Sequence, residues 1–186
     1  MLTSAGTSFF TTSATDATIT LNNANAFTGA VGLNTTGSSG NATVVDASGL
    51  NLGASTVVDN LIATATTGNM EDSGVLTIAG TSSFTTSATD ATITLNNANA
   101  FTGAVALNTT GSSGNATVVD ASGLNLGAST VGGNLIATAT TGNMEDAGVL
   151  TIAGTSSFTT SANNATIILN NANAFTGAAE LNTTGS

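Results

Sequence analysis

Residues 1–74 and 75–148 are two copies of one unit that differ at seven positions, and residues 149–186 begin a third copy. Phe10, Phe84 and Phe158 each head the same Thr-Thr-Ser-Ala run and are evenly spaced, since 84 − 10 = 158 − 84 = 74. The stretch Ala91–Val131 recurs at Ala17–Val57 with one change, Gly32 for Ala106, and its first part returns at Ala165–Ser186. Self-similarity of such long period is the mark of a stacked array, in which each unit buries its apolar face against its neighbours rather than alone. The chain therefore reads as one body over residues 1–186, made of two whole repeats and part of a third.

Inside one copy the pattern has period two. Leu150 and Ile152 flank Thr151, Ile93 and Leu95 flank Thr94, Val105 and Leu107 flank Ala106, and Leu124 and Leu126 flank Asn125. Short alternation rich in Val, Ile and Thr predicts half-buried strands. Turn formers separate them: Asn96-Asn97, Thr110–Gly114, Ser122-Gly123 and Gly132-Gly133. No helical stripe is present, so the fold class is all-β. Many short strands in a long repeat predict a parallel β-solenoid with coils of roughly 18–25 residues, hence three or four coils per repeat. With layers about 4.8 Å apart the rod would be roughly 35–50 Å long. An antiparallel sandwich would not naturally carry so long a near-identical unit into a third copy.

Comparing the copies predicts which way residues face. Ala106 corresponds to Gly32 and Glu180, as expected of a position pointing to water, whereas Leu33, Leu107 and Leu181 mark an inward one. Two substitutions run against this pattern: Ser4 stands where the second copy has the inward Ile78, and Ile168 where it has the outward Thr94.

Composition then removes whole classes of function. The chain has ten acidic residues and no Lys, Arg, His, Cys, Pro, Trp or Tyr. It has no imidazole base, thiol nucleophile, Schiff-base amine or ordinary zinc ligand set. A net charge of −10 repels nucleic-acid phosphates and anionic lipids. Without cysteine there is no disulfide framework, and stability rests on packing and hydrogen bonds. Residues 1–10 lack the charged and apolar regions of a signal peptide. No apolar run approaches the length that spans a membrane, so no membrane insertion is expected. If the protein is secreted, this chain is expected to be a piece of something longer.

The phrases GNLIATATTGNMEDAGVLTIAG, ATITLNNANAFTGAVALN and ASGLNLGASTVGGNL resemble the β-strand-repeat regions of large secreted bacterial adhesins, the filamentous haemagglutinin-like proteins. The resemblance covers nearly the whole chain. It implies a right-handed parallel β-helix, export across the outer membrane, and a stalk or adhesive role toward an unidentified surface or host ligand through the parent protein.

Several side chains compete for functional readings. Glu71-Asp72 and Glu145-Asp146 offer hard oxygen ligands for calcium, but such carboxylates recur once per repeat rather than once per coil, and the Gly/Asp-rich calcium nonapeptide is missing. Asp90 and Asp120 are the carboxylates to weigh for glycosidic cleavage, with no Trp, Tyr or basic residue to hold a sugar. Asp90 becomes Asn164 in the third copy, which suits a turn better than a charge requirement. Thr92-Ile93-Thr94 and Thr138-Ala139-Thr140 put two hydroxyls on one strand face, the raw material of an ice-binding surface and equally of an ordinary solvated strand. Asn96, Asn97 and Asn99 read as residues that stack or cap at turns, where Asn tolerates a positive φ. Asn34, Asn41, Asn108, Asn115, Asn164 and Asn182 each open an N-x-Thr sequon, a cheap match in a Thr-rich chain. Phe84 and Phe101 read as core fillers. The combined expectation is a non-catalytic spacer or adhesive stalk of a secreted cell-surface protein, without cofactor or metal. An ice-binding solenoid using outward Thr-x-Thr pairs is the alternative.

Overall fold

A computed structural model describes residues 1–185, and among these there are 23 strands and no helix. The strands form a 12-stranded and an 11-stranded sheet in which every pairing is parallel. Register partners lie one coil apart, and coil length varies: Ala42 partners Leu61 (61 − 42 = 19), whereas Ile19 partners Ala42 (42 − 19 = 23). The chain is a β-solenoid of about 9 turns. At about 4.8 Å per layer it is a rod roughly 40 Å long.

The repeat and the coil do not keep step. Up the 11-stranded sheet Thr11 pairs with Asn34, Asn34 with Thr56 and Thr56 with Thr77, so three turns advance the chain by 77 − 11 = 66. The remaining eight (74 − 66) carry the chain round to the other sheet, where Thr85, the counterpart of Thr11, pairs with Thr64. One repeat is therefore about three and a half turns, between the whole numbers expected. Phe10 and Phe158 belong to the 11-stranded sheet and Phe84 to the 12-stranded one. The half turn is tolerated because the two sheets are alike: each presents aliphatic rows inward, so a unit rotated to the opposite side meets an equivalent core.

Inward rows follow the alternation. Ile93, Leu95, Val105, Leu107, Leu124, Leu126, Leu150 and Ile152 are all buried in one continuous core. Phenylalanines span it from sheet to sheet: Phe10–Phe27, Phe84–Phe101 and Phe158–Phe175 each meet edge to face at 5.6–5.8 Å. This geometry adds to the apolar area such rings remove from water.

Corners are made by a small set of residues. Asp16, Asp90 and Asn164 have φ of 60°, 63° and 61°, the left-handed region where Asp and Asn are tolerated and most side chains are not. The exchange of Asp90 for Asn164 is thus a turn substitution, as expected. Gly37 and Gly111, at φ 97° and 83°, stand against the Asp16 and Asp90 side chains, where a Cβ has no room.

The segment Asn96–Asn99 departs from expectation. Rather than ending a strand, it lies within the strand Ile93–Phe101, where Leu95 pairs with Val118 but Asn99 with Asp120. Four residues on one strand match two on the next, so the chain bulges outward. Neither Asn96, Asn97 nor Asn99 has a positive φ.

Register also explains differences between copies. Phe9 sits beside Gly32, and a Cβ at Gly32 would come within 2.6 Å of the Phe9 ring. The second copy pairs Ser83 with Ala106 and the third Ser157 with Glu180. Glycine thus accompanies the one bulky neighbour, and the outward position shrinks to receive a ring. Ser4 lies in the first layer, half-buried beside Phe27, where it has a strand neighbour on one side only. Ile168 is 46% exposed next to Glu145, and nothing in the structure explains it.

Candidate functional site

The ten carboxylates do not converge: among the described residues no three Asp or Glu side chains gather into a possible cation site. Most are occupied with backbone amides. The bulge at Asn96–Asn97 leaves amides without ladder partners, and Asp72 of the layer beneath accepts from Asn96 N at 3.0 Å and Asn97 N at 3.3 Å. Asn99, fully buried, donates through Nδ2 to Asp72 Oδ2 at 2.7 Å and accepts from Leu76 N at 2.8 Å. Asp146 repeats this with Asn170, Asn171 and Asn173. Within Glu71-Asp72 and Glu145-Asp146, the aspartates are thus turned in as caps while the glutamates stay exposed.

Asp120 and Asp90 are likewise held apart in separate roles. Asp120 is completely buried and accepts from Phe101 N at 3.1 Å, Ser122 N at 2.8 Å and Ser122 Oγ at 2.9 Å. Asp90 accepts from Ser113 N at 2.8 Å across a corner. Burial pushes the Asp120 carboxyl above the ordinary carboxylate range against the pull of these donors. The amides of Ser38 and Ser39 hold Asp16 below that range. At Asp146 burial works upward, but the Asn173 amide and the Asn170 and Asn171 N–H groups together leave it lowered. Linkage gives opposite signs. Asp16 and Asp146 contribute stability that is present above their unfolded pKa and lost as pH falls. Asp120 contributes stability present in acid and lost as pH rises through its raised pKa.

The threonine pairs do not stack into a ladder. Thr94 lies between Glu71 and Thr117, and Thr138 between Val119 and Thr159. The row of Thr94 and Thr117 ends at Ile136, and the equivalent first-copy row of Thr20 and Thr43 ends at Ile62, each isoleucine about half exposed. Thr140 falls just past the strand Leu135–Ala139. Of the sequon asparagines, Asn41 and Asn115 act as corner acceptors for Asn60 N and Asn134 N, and Asn34 accepts from Thr56 N. Asn108 and Asn182 sit on outward strand positions beside Thr85 and Thr159, and Asn164 is exposed at its left-handed turn.

One arrangement was not anticipated from sequence. Two surface notches of about 290 and 270 Å³ are lined by corresponding residues: Thr102, Gly123, Leu124, Asn125, Asn143 and Glu145 in one, and Thr28, Gly49, Leu50, Asn51, Asn69 and Glu71 in the other, which also includes Phe27. Val31 pairs with Leu52, so the chain below Asn51 is the small-residue corner Thr28-Gly29-Ala30, and the space a side chain would fill stays open. Because the repeat is half-integral, the notches lie on opposite sheets. The signal lay in a polar Asn set between two leucines, with a Glu one coil later: Asn51 pairs with Glu71 and Asn125 with Glu145.

No curated protein and no solved structure matches the chain. A family model described as repeats of unknown function, DUF5649, matches residues 1–34, 39–108 and 113–182. Its second and third matches begin at 39 and 113, and 113 − 39 = 74 keeps step with the internal repeat. The chain belongs to this family of repeats, DUF5649.

Proposed function

We propose that the chain is a structural rod, a spacer or adhesive stalk segment of a secreted cell-surface protein, without catalytic activity of its own. The observation that carries this reading is the continuous core: one cluster of buried apolar side chains runs unbroken from Ile19 to Phe158, and most aspartates are spent on capping corners and bulges. A body of this kind resists bending and lengthens by about 17 Å per repeat, three and a half layers at about 4.8 Å. The likeness to filamentous haemagglutinin-like repeats supports the surface location and the adhesive role of the parent protein. The ice-binding alternative rests on a row other than the Thr-x-Thr pairs: Thr64, Thr85, Asn108, Thr130 and Thr151 stack in register up one sheet, interrupted by the asparagine.

The half turn gives the stalk a further property. Adding or removing one repeat rotates whatever follows it to the opposite side of the rod, whereas two repeats restore the original facing. In cells that make the natural protein, an antibody against this chain is expected to label intact, unpermeabilised cells. Deleting residues 75–148 should shorten the reach without lowering the amount displayed. Labelling that requires permeabilisation would sink the surface reading.

A further inference from the structure

We propose that the lower edge of the first layer, along Thr18–Asn25, is a docking site for one coil of another copy of this repeat, supplied by a second chain and recognised through its Asn-Met-Glu-Asp strand. That occupant is seated twice within the molecule on the same sequence. Residues 17–27 and 91–101 are identical, and residues 165–175 differ from them only at Ile168. In the second copy Met70 and Glu71 pair from beneath with Ile93 and Thr94, and in the third Met144 and Glu145 pair with Ile167 and Ile168. Met70 N donates to Thr92 O at 2.8 Å, and Thr92 N to Asn69 Oδ1 at 2.9 Å. The Asp72 carboxylate accepts from Asn96 N, Asn97 N and Asn99 Nδ2, and its backbone carbonyl accepts from Asn97 Nδ2 at 2.8 Å. Asn143–Asp146 repeat each of these contacts.

The first copy presents the same acceptor as an open strand edge. Ile19–Phe27 pairs upward with Ala42–Asp46, and downward only Ala26 and Phe27 are paired, with Thr3 and Ser4. Thr18, Thr20, Asn22 and Asn23 are exposed. Leu2 is 45% exposed and Phe10 and Leu21 are half-buried, whereas their counterparts Leu76, Phe84 and Leu95 have no exposed surface. Asn25 Oδ1 accepts from Leu2 N as Asn99 Oδ1 does from Leu76 N, but its Nδ2 donates to the carbonyls of Leu21, Asn23 and Val45 instead of a carboxylate. A backbone ladder alone would accept any strand; side-chain contacts supply the selection. Here the selecting group is an aspartate set against the bulge amides, and charge-assisted bonds of this kind are the strong ones. The whole matching coil is Ser55–Ser73. In the second copy its Ser55–Val57 lies under Leu76–Ile78 and its Leu61–Ala65 under Ser82–Thr86, with Leu61, Ala63, Ala65 and Met70 turned into the core. Ser4 replaces Ile78 above Val57, so apolar contact is poorer there and the aspartate carries the recognition.

Titration of the isotope-labelled full chain with a synthetic peptide of residues Ser55–Ser73, followed by amide NMR, tests the proposal. Saturable one-to-one binding is expected, with shifts confined to Leu2–Ser4, Ser8–Thr12 and Thr18–Asn25 and slowed hydrogen exchange at Asn22 and Asn23. The peptide carrying Asp72→Asn should bind at least tenfold more weakly, because its strand is unchanged and only the charged acceptor is lost. Asn23→Ala in the chain removes the donor to the aspartate carbonyl at an exposed position, so it should weaken binding with an unaltered circular dichroism spectrum. Equal binding of a shuffled peptide, equal affinity for the Asp72→Asn peptide, shifts centred on Ala179–Thr183, or no binding at millimolar peptide would overturn it.

Discussion

Replacing Asn99 with aspartate is expected to leave the rod nearly intact in acid and to destabilise it by about 3–5 kcal/mol at neutral pH, the scale of an uncompensated buried charge. The amide of Asn99 lies 2.7 Å from Asp72 Oδ2, at a fully buried position. A carboxylate there faces a second carboxylate at hydrogen-bond distance, and two such groups cannot both ionise. The pair shares one proton, with its folded pKa raised above the unfolded value. The stability it retains is therefore present below the ordinary carboxylate pKa and lost as pH rises through the raised one. Asn99→Ala is the control. It strands Leu76 N–H and removes a donor from Asp72 at any pH, so its loss, about 1–3 kcal/mol, should change little with pH. Thermal melts of both variants against the parent, at pH 3.5 and 7, separate the cases. Equal losses for Asn99→Asp at the two pH values would show that Asp72 and Asn99 are not in contact.

Phe84→Ala is the second large effect. Phe84 has no exposed surface and meets Phe101 at 5.8 Å, so truncation combines lost transfer energy with a cavity that stacked backbones cannot close. The expected cost is about 3–5 kcal/mol. Phe10, at the same place in the first copy, is only half-buried, and Phe10→Ala should lose clearly less. In a stacked array the damage stays near its layer. Hydrogen exchange should accelerate first in the strands Leu61–Ala65 and Val105–Thr110 that flank Phe84, and last in distant layers. Urea unfolding in which Phe10→Ala equals or exceeds Phe84→Ala would contradict the assigned core.

Much of this architecture was legible because its causes are local. Alternation at Ile93-Thr94-Leu95 reports directly on which side chains turn inward, and the exchange of Asp90 for Asn164 reports a backbone that must enter the left-handed region. What escaped depends on register between layers, which a sequence does not display. The Asn96–Asn99 bulge exists only relative to the shorter Val118–Asp120 segment above it. The pairing of Phe9 with Gly32 joins side chains a whole coil apart (32 − 9 = 23). The half turn arises because three coils of unequal length advance the chain by 66 (77 − 11), short of the repeat spacing of 74 (84 − 10). The notches depend on the same register, since a corner in one layer leaves space beneath an asparagine in the next.

The half-integral repeat is the claim on which the alternation of faces depends, and the absence of cysteine makes it directly measurable. Nitroxide labels on Thr43→Cys and Thr117→Cys mark equivalent outward positions, one on each sheet. With about three and a half turns between them, the labels point in opposite directions across sheets about 10 Å apart and are offset by about 17 Å along the axis. Double electron–electron resonance should then give a distribution centred at roughly 30 Å, the sum of these offsets and the label arms. A narrow distribution at roughly 15–20 Å, the axial rise of three or four whole layers on a single face, would contradict it.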